Sequence, residues 1–159
     1  MEKIMKIVAI VQVRMGSSRL PGKVLKTIVN KPMIELLLTR LSQSRELDEI
    51  VVATSEYPQN DELQSTVEFL GYRCTKGSEK NVLNRFYETA KITNADIVVS
   101  ITGDYPLVDP SLVDRCIQCY KDLKVDYFST NIYFNWKQVL ELQKQSPEFF
   151  LANQHIKNN

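Results

Sequence analysis

Apolar positions along the chain switch between two periods, and the switching predicts the order of elements. Residues Lys6 to Val13 (KIVAIVQV) form a continuous β-branched apolar run, the pattern of a strand buried on both faces. After a polar, glycine-bearing loop, Lys31-Pro32 precedes MIELLLTRLSQS. There Met33, Ile34, Leu37, Leu38 and Leu41 recur at helical spacing. EIVVATS (Glu49 to Ser55) reads as a second buried strand, and Asp61 to Leu70 as a helix stopped by Gly71. YRCT is a short third strand. Asn81 to Ile92 is helical, with Val82, Leu83, Phe86 and Ala90 on one face. DIVVSIT (Asp96 to Thr102) is a further strand. Asp109-Pro110-Ser111 opens a helix to about Tyr120, with Asp109 as its cap, and DYFST (Asp126 to Thr130) is the expected last strand.

Strands alternating with helices predict an α/β fold, a parallel sheet covered on both faces. In such sheets a ligand sits outside the C-terminal ends of the strands, near a topological switch point. The rule selects the loop after the first strand, then Thr54 and Ser55, then Gly103 and Asp104. No repeat, low-complexity tract or linker interrupts the pattern.

Composition narrows the chemistry. A length of 159 residues fits one domain with a real core, and 43% apolar and 25% charged residues describe an ordinary globule. A net charge of +1 argues against a generally basic nucleic-acid binder, so no nucleic-acid partner is expected. No apolar run is long enough to span a bilayer, MEKIMK lacks signal-peptide anatomy, and the 3 cysteines lack framework spacing. A cytoplasmic protein without a membrane partner is the expectation. The single histidine, His155, lies near the C-terminus, which leaves carboxylates, cations and a metal to carry any catalysis.

The loop after the first strand is RMGSSRLPGK. Arg14, Arg19 and Lys23 place three cations among glycines that let backbone N–H groups approach a ligand. It is not a P-loop: five residues separate Gly16 from Gly22, and Val24 follows Lys23 where Ser or Thr belongs. It is either a polyphosphate cradle or a solvated basic turn. In ITGDYPLVDP, Asp104 puts a hard oxygen on the same rim, either to anchor Mg²⁺ beside phosphates or to open a turn. KGSEKNVLNRF (Lys76 to Phe86) could offer Gly77-Ser78 to a base or ribose and Arg85 to a phosphate, but a turn into a helix accounts for it better. Cys116 and Cys119, late in a helix beside Leu112, Val113, Ile117 and Tyr120, read as buried packing rather than a redox or zinc pair. Trp136 and the aromatics Tyr133, Phe134, Phe149 and Phe150 read as packing or interface groups.

The segment AIVQVRMGSSRLPGKVLKTIVNKPMIE resembles the opening of the cytidylyltransferases that activate acidic eight- and nine-carbon sugars, especially their spore-coat polysaccharide branch. DEIVVATS, KGSEKNVLNRFYETAK, DIVVSITGDYPLVDPSLVD and DYFSTN follow in that family's order, so the resemblance runs from Ile7 to about Asn131. It implies a Rossmann-like, three-layer nucleotidyltransferase fold. It also implies a reaction in which CTP and an ulosonic-type sugar give a CMP-sugar and pyrophosphate. Carried over by motif, Arg14, Lys23 and Asp104 are the catalytic set, with Asp104 binding Mg²⁺. Val11, Gln12, Val13, Gly16, Ser17, Ser18, Arg19, Thr54, Ser78, Val82 and Gly103 complete the nucleotide site with Arg14 and Lys23.

The resemblance also sets expectations for the tail. The family continues beyond the last strand with a second metal-binding aspartate and a dimerisation extension, whereas here no aspartate follows Asp126. The expected organisation is a nucleotidyltransferase domain at 1–131 and an atypical helical tail at 132–159, with a homodimer as the family's assembly. A shortened homologue that binds nucleotide better than it turns it over is one alternative. A sugar-nucleotide-dependent glycosyltransferase is another, disfavoured because GDYP offers one aspartate where a D-x-D motif needs two.

Overall fold

In the computed structural model, residues 5–123 and 125–129 are described. The chain divides into two compact units, one reaching Pro110 and the other beginning at Ser111.

The first unit is built on a four-stranded parallel sheet. Its strands are β1 (Ile7–Gln12), β4 (Glu49–Ser55), β5 (Arg73–Gly77) and β6 (Ile97–Thr102), in the spatial order β5-β4-β1-β6. Central β1 is apolar from Ile7 to Val11 because it is flanked on both sides: Val8, Ala9, Ile10 and Val11 have no exposed surface. Between β1 and β4 come a two-stranded antiparallel hairpin, β2 (Thr27–Ile28) with β3 (Lys31–Pro32), and helix α1 (Met33–Leu41). Helix α1 buries Ile34, Leu37, Leu38 and Leu41, the apolar face its spacing predicts. Helix α2 (Asp61–Phe69) ends before Gly71, whose φ of 86° is the left-handed conformation that releases the chain towards β5.

Helix α3 (Val82–Thr93) starts where Asn81 accepts a hydrogen bond from the Asn84 amide, 2.9 Å away, a regular side-chain cap. Its buried face corrects the expectation of Val82, Leu83, Phe86 and Ala90. Phe86 and Ala90 are buried, but beside Arg85, Thr89 and Thr93, while Val82 and Leu83 remain partly exposed. The two threonines are satisfied locally: Thr89 donates to the Arg85 carbonyl and Thr93 to the Thr89 carbonyl.

Helix α4 (Pro110–Leu123) begins at the expected proline and buries Val113 and Ile117. Cys116 is half-buried and Cys119 exposed, which corrects the packing role expected of both. Two residues beyond Ile117, Cys119 is turned about 200° from it and so leaves the buried stripe. The strand expected at DYFST is also absent: residues 126–129 carry no strand, and Thr130 lies outside the described residues. The run contains two strong strand formers, Tyr127 and Phe128, and has no ladder partner in the described sheet. The helical tail expected at 132–159, with Trp136 and the other tail aromatics, lies outside the described residues. Among the described residues, no helix is long and apolar enough to cross a membrane.

Candidate functional site

The strand order contains one switch point. From β1 the chain moves outward through β4 and β5, then returns to the other side of β1 as β6. The chain thus lies to one side of β1 through β4 and β5 and to the other at β6, and the crevice between the carboxyl ends of β1 and β6 is the ligand position of doubly wound sheets. A cleft of about 340 Å³ opens there, within the range of small-ligand pockets. One wall is Gln12, Val13 and the basic loop, with Arg14, Ser17, Ser18, Arg19, Leu20, Lys23 and Val24. The other is Thr102, Gly103 and Asp104 at the end of β6.

The basic loop has a defined shape. The Met15 carbonyl accepts from both the Ser17 and Gly22 amides at 2.9 Å, which folds the loop back on itself. Gly22 permits this with a φ of 66°, and a single 3-10 turn, Lys23–Leu25, follows. Buried Asn60 anchors the loop to the sheet: it accepts from the Met15 amide at 2.9 Å and donates to the Ser55 hydroxyl at 2.7 Å. Gly103 lets the two walls meet. Its amide donates to the Gln12 carbonyl at 2.9 Å, and a side chain there would overlap Val13.

Two of the three cations are held by carboxylates from opposite sides of β1. Lys23 Nζ lies 2.5 Å from Asp104 Oδ1, and Arg14 Nη1 donates to Glu79 Oε1 at 2.6 Å. Arg19, on the exposed stretch of the loop, makes no ion pair among the described residues. Glu79 comes from the turn between β5 and α3. The neighbouring Ser55 hydroxyl, then Arg14 and Arg85, hold its carboxyl below the usual glutamate range against the opposing effect of burial. Ser55 accepts from Asn60 and so keeps its own proton for Glu79, although it closes no bond of good geometry to Oε2.

Arg85, for which a place in the turn into a helix is the better reading than a phosphate contact, is 1% exposed and donates to the Ser78 carbonyl at 2.8 Å. It is a buried cation under the turn, and burial pushes its pKa down while the Glu79 charge opposes the shift. The expected site residues thus separate by position. Gln12, Val13, Arg14, Ser17, Ser18, Arg19, Lys23, Gly103 and Asp104 share one cleft. Val11 and Thr54 are fully buried below the rim, and Gly16 faces Gln59. Ser78 lies in the β5–α3 turn and Val82 opens α3, and neither lines the cleft wall.

Glu79 and Asn60 were not anticipated. Glu79 stands just past the end of β5, where the strand-end rule applies as it does to Asp104, so a signal for it existed; for Asn60 there was none. The donor set around the cleft suits one kind of metal. Among the described residues no three His, Cys, Asp or Glu gather to hold an ion by themselves. A lone aspartate beside three cations fits a hard divalent ion of the kind that arrives on phosphate oxygens. No cysteine among the described residues lines the cleft, and burial raises the thiol of Cys74, on β5, to about 12.

Comparison with known proteins agrees with this geometry. The family model described as cytidylyltransferase matches residues 8–145. The spore coat polysaccharide biosynthesis protein SpsF of Bacillus subtilis is 38% identical over 125 residues, 76% of this chain and 52% of that protein. A cytidylyltransferase structure from Leptospira borgpetersenii superposes with a TM-score of 0.71 at 32% identity, covering 74% of this chain and 50% of that one. The structure of a CMP:2-keto-3-deoxy-manno-octonic acid synthetase complexed with CTP gives 0.67 at 32% identity, covering 74% and 48%. The chain spans about half the length of the curated relatives it matches.

Proposed function

The chain belongs to the cytidylyltransferase family, and on that premise we propose that it transfers CMP from CTP to an acidic, ulosonic-type sugar, releasing pyrophosphate. The product would be an activated sugar for surface polysaccharide assembly, made in the cytoplasm. The observation that carries the reading is the cleft at the switch point, where Arg14, Arg19 and Lys23 face the single carboxylate of Asp104.

The reaction forms a bond between the anomeric oxygen of the sugar and the α-phosphorus and breaks the bond from that phosphorus to the β-phosphate bridge. The hydroxyl gives up its proton and pyrophosphate leaves. Catalysis of this kind rests on positioning and on charge stabilisation. Arg14 and Lys23, on opposite sides of the loop, neutralise charge that develops on the transferring and leaving phosphates. Ser17, Ser18 and Arg19 complete the cradle, and Gly103 keeps the β6 wall close enough for Asp104 to reach the same phosphates. Mg²⁺ held by Asp104 and the nucleotide would draw charge from the α-phosphate. Thr54 near the end of β4, Ser78 just past β5 and Val82 at the start of α3 are proposed contributors on the nucleoside side. The proposed nucleotidyltransferase domain is 1–131.

A pyrophosphate-release assay with each of the four nucleoside triphosphates, Mg²⁺ and several sugar acids tests the reading. Release is expected with CTP and an ulosonic acid, and Asp104→Ala should lower it about a hundredfold or more. Absence of release with every pair, or release indifferent to Asp104, rejects it.

A further inference from the structure

The turn that follows β5 lies two strands away from the cleft, yet it supplies the partner of the cleft's leading arginine. Glu79 Oε1 accepts from Arg14 Nη1 at 2.6 Å across 65 residues of sequence. The glutamate is the better buried partner, with 16% of its side chain exposed against 50% for Arg14. Its turn is braced from three directions. Arg85 donates to the Ser78 carbonyl, the Asn81 amide to the Ser78 hydroxyl at 3.1 Å, and the Asn84 amide to the Asn81 side chain. Arg85 is itself buried, with Nε and Nη2 left without partners, as is Glu79 Oε2. Two buried groups of opposite charge with unspent hydrogen-bonding capacity therefore stand behind Arg14, giving the order Arg85, Glu79, Arg14 from core to cleft.

We propose that Glu79 is a positioning residue that orients the Arg14 guanidinium over the cleft. Glu79 takes one terminal N–H of Arg14 and leaves the other donors of the planar fork for phosphate oxygens. A half-exposed arginine without such a tether samples many rotamers, and fixing it beforehand removes that entropy from the reaction step. Glu79 acts through Arg14 and touches no reacting atom. The inference rests on the transferase reading above and assigns a function to a residue outside the cleft.

A double-mutant cycle on Arg14→Ala and Glu79→Ala tests it, with Glu79→Gln as the conservative variant and circular dichroism confirming that each one folds. Glu79→Ala should lower kcat about 10–100-fold while KM for the nucleotide stays within about threefold. Glu79→Gln, which keeps an acceptor oxygen, should recover part of the loss. In the Arg14→Ala background, Glu79→Ala should cost nothing further. Additive effects, or unchanged kinetics in Glu79→Ala, overturn the proposal. Should the wild type release no pyrophosphate, the transferase reading fails on its own account. The same cycle read by urea unfolding without nucleotide then decides for Glu79. Coupling above about twofold in the folding equilibrium supports the tether, and coupling below it overturns the tether.

Discussion

Two ion pairs of nearly equal length flank the mouth of the cleft, and their burial is opposite. In Lys23–Asp104 the lysine is 29% exposed and the aspartate 60%; in Arg14–Glu79 the arginine is 50% exposed and the glutamate 16%. On the β6 side the carboxylate faces solvent, where a hydrated cation can take it. On the β5 side the carboxylate is sunk beside Ser55 and Arg85, and the arginine is the accessible partner. The same bond therefore has two proposed uses: Lys23 would keep Asp104 occupied until metal and phosphate arrive together, and Glu79 would keep Arg14 in place.

The sharpest way to break this comparison is to remove each carboxylate charge and measure nucleotide-dependent pyrophosphate release against Mg²⁺ concentration. Asp104→Asn should raise the Mg²⁺ needed for half-maximal rate at least about tenfold and cut the maximal rate about a hundredfold or more. Glu79→Gln should lower the maximal rate and leave the Mg²⁺ requirement where it was. If the two variants shift Mg²⁺ dependence alike, the two sides of the cleft are not functionally distinct.

A second difference lies in the backbone. A Cβ on Gly103 would overlap Val13 Cγ1 and stand 3.1 Å from the Gln12 carbonyl, so neither the strand end nor the side chain can give way cheaply. On the other side of the cleft, a Cβ on Gly16 meets Gln59 Nε2 at 2.8 Å, the free end of a flexible side chain. Gly103→Ala should cost about 1–3 kcal/mol in denaturant unfolding, and Gly16→Ala no more than about 0.5 kcal/mol. Equal losses would show that the β6 wall is not the tighter one.

This division also explains which parts of the molecule could be read from the sequence. The strands β1, β4 and β6 and the helices α1 and α2 announce themselves because burial imposes a period, and the strand-end rule then places Arg14, Lys23 and Asp104 on one rim. The hairpin β2–β3 was not legible. Its turn puts Val29 and Asn30 at φ of 50° and 64°, and a β-branched residue in that region is one that turn chemistry argues against. The place of Glu79 beyond β5 falls under the strand-end rule, but its pairing escaped for a different reason. Its partner is 65 residues away, and no periodicity encodes how far a side chain reaches across two strands. Among the described residues, 126–129 form no strand, because strand propensity without a ladder partner makes none.

The smallest effect separates the pairs by stability and pH. Asp104 and Lys23 are exposed enough for solvent to screen their attraction, and Asp104→Asn should change the unfolding free energy by at most about 0.5 kcal/mol at neutral pH. Glu79 sits deeper and balances both Arg14 and the buried Arg85. Because Arg14 is half in solvent, the cost of Glu79→Gln falls below that of a fully buried pair, at about 1–2 kcal/mol. The sign of its pH dependence follows from the direction of the shift. The folded carboxyl is held below the glutamate range, so its contribution is complete above the unfolded value near 4.3, roughly from pH 5 upward. It is lost as the pH falls through the lower folded value, because the protonated carboxyl no longer attracts the two arginines. Unfolding curves of wild type and Glu79→Gln should therefore differ most at pH 7 and converge on acidification below about pH 4. A gap that widens towards acid would mean that Glu79 is bound as the neutral acid, and the tether from Arg85 through Glu79 to Arg14 would lose its electrostatic basis.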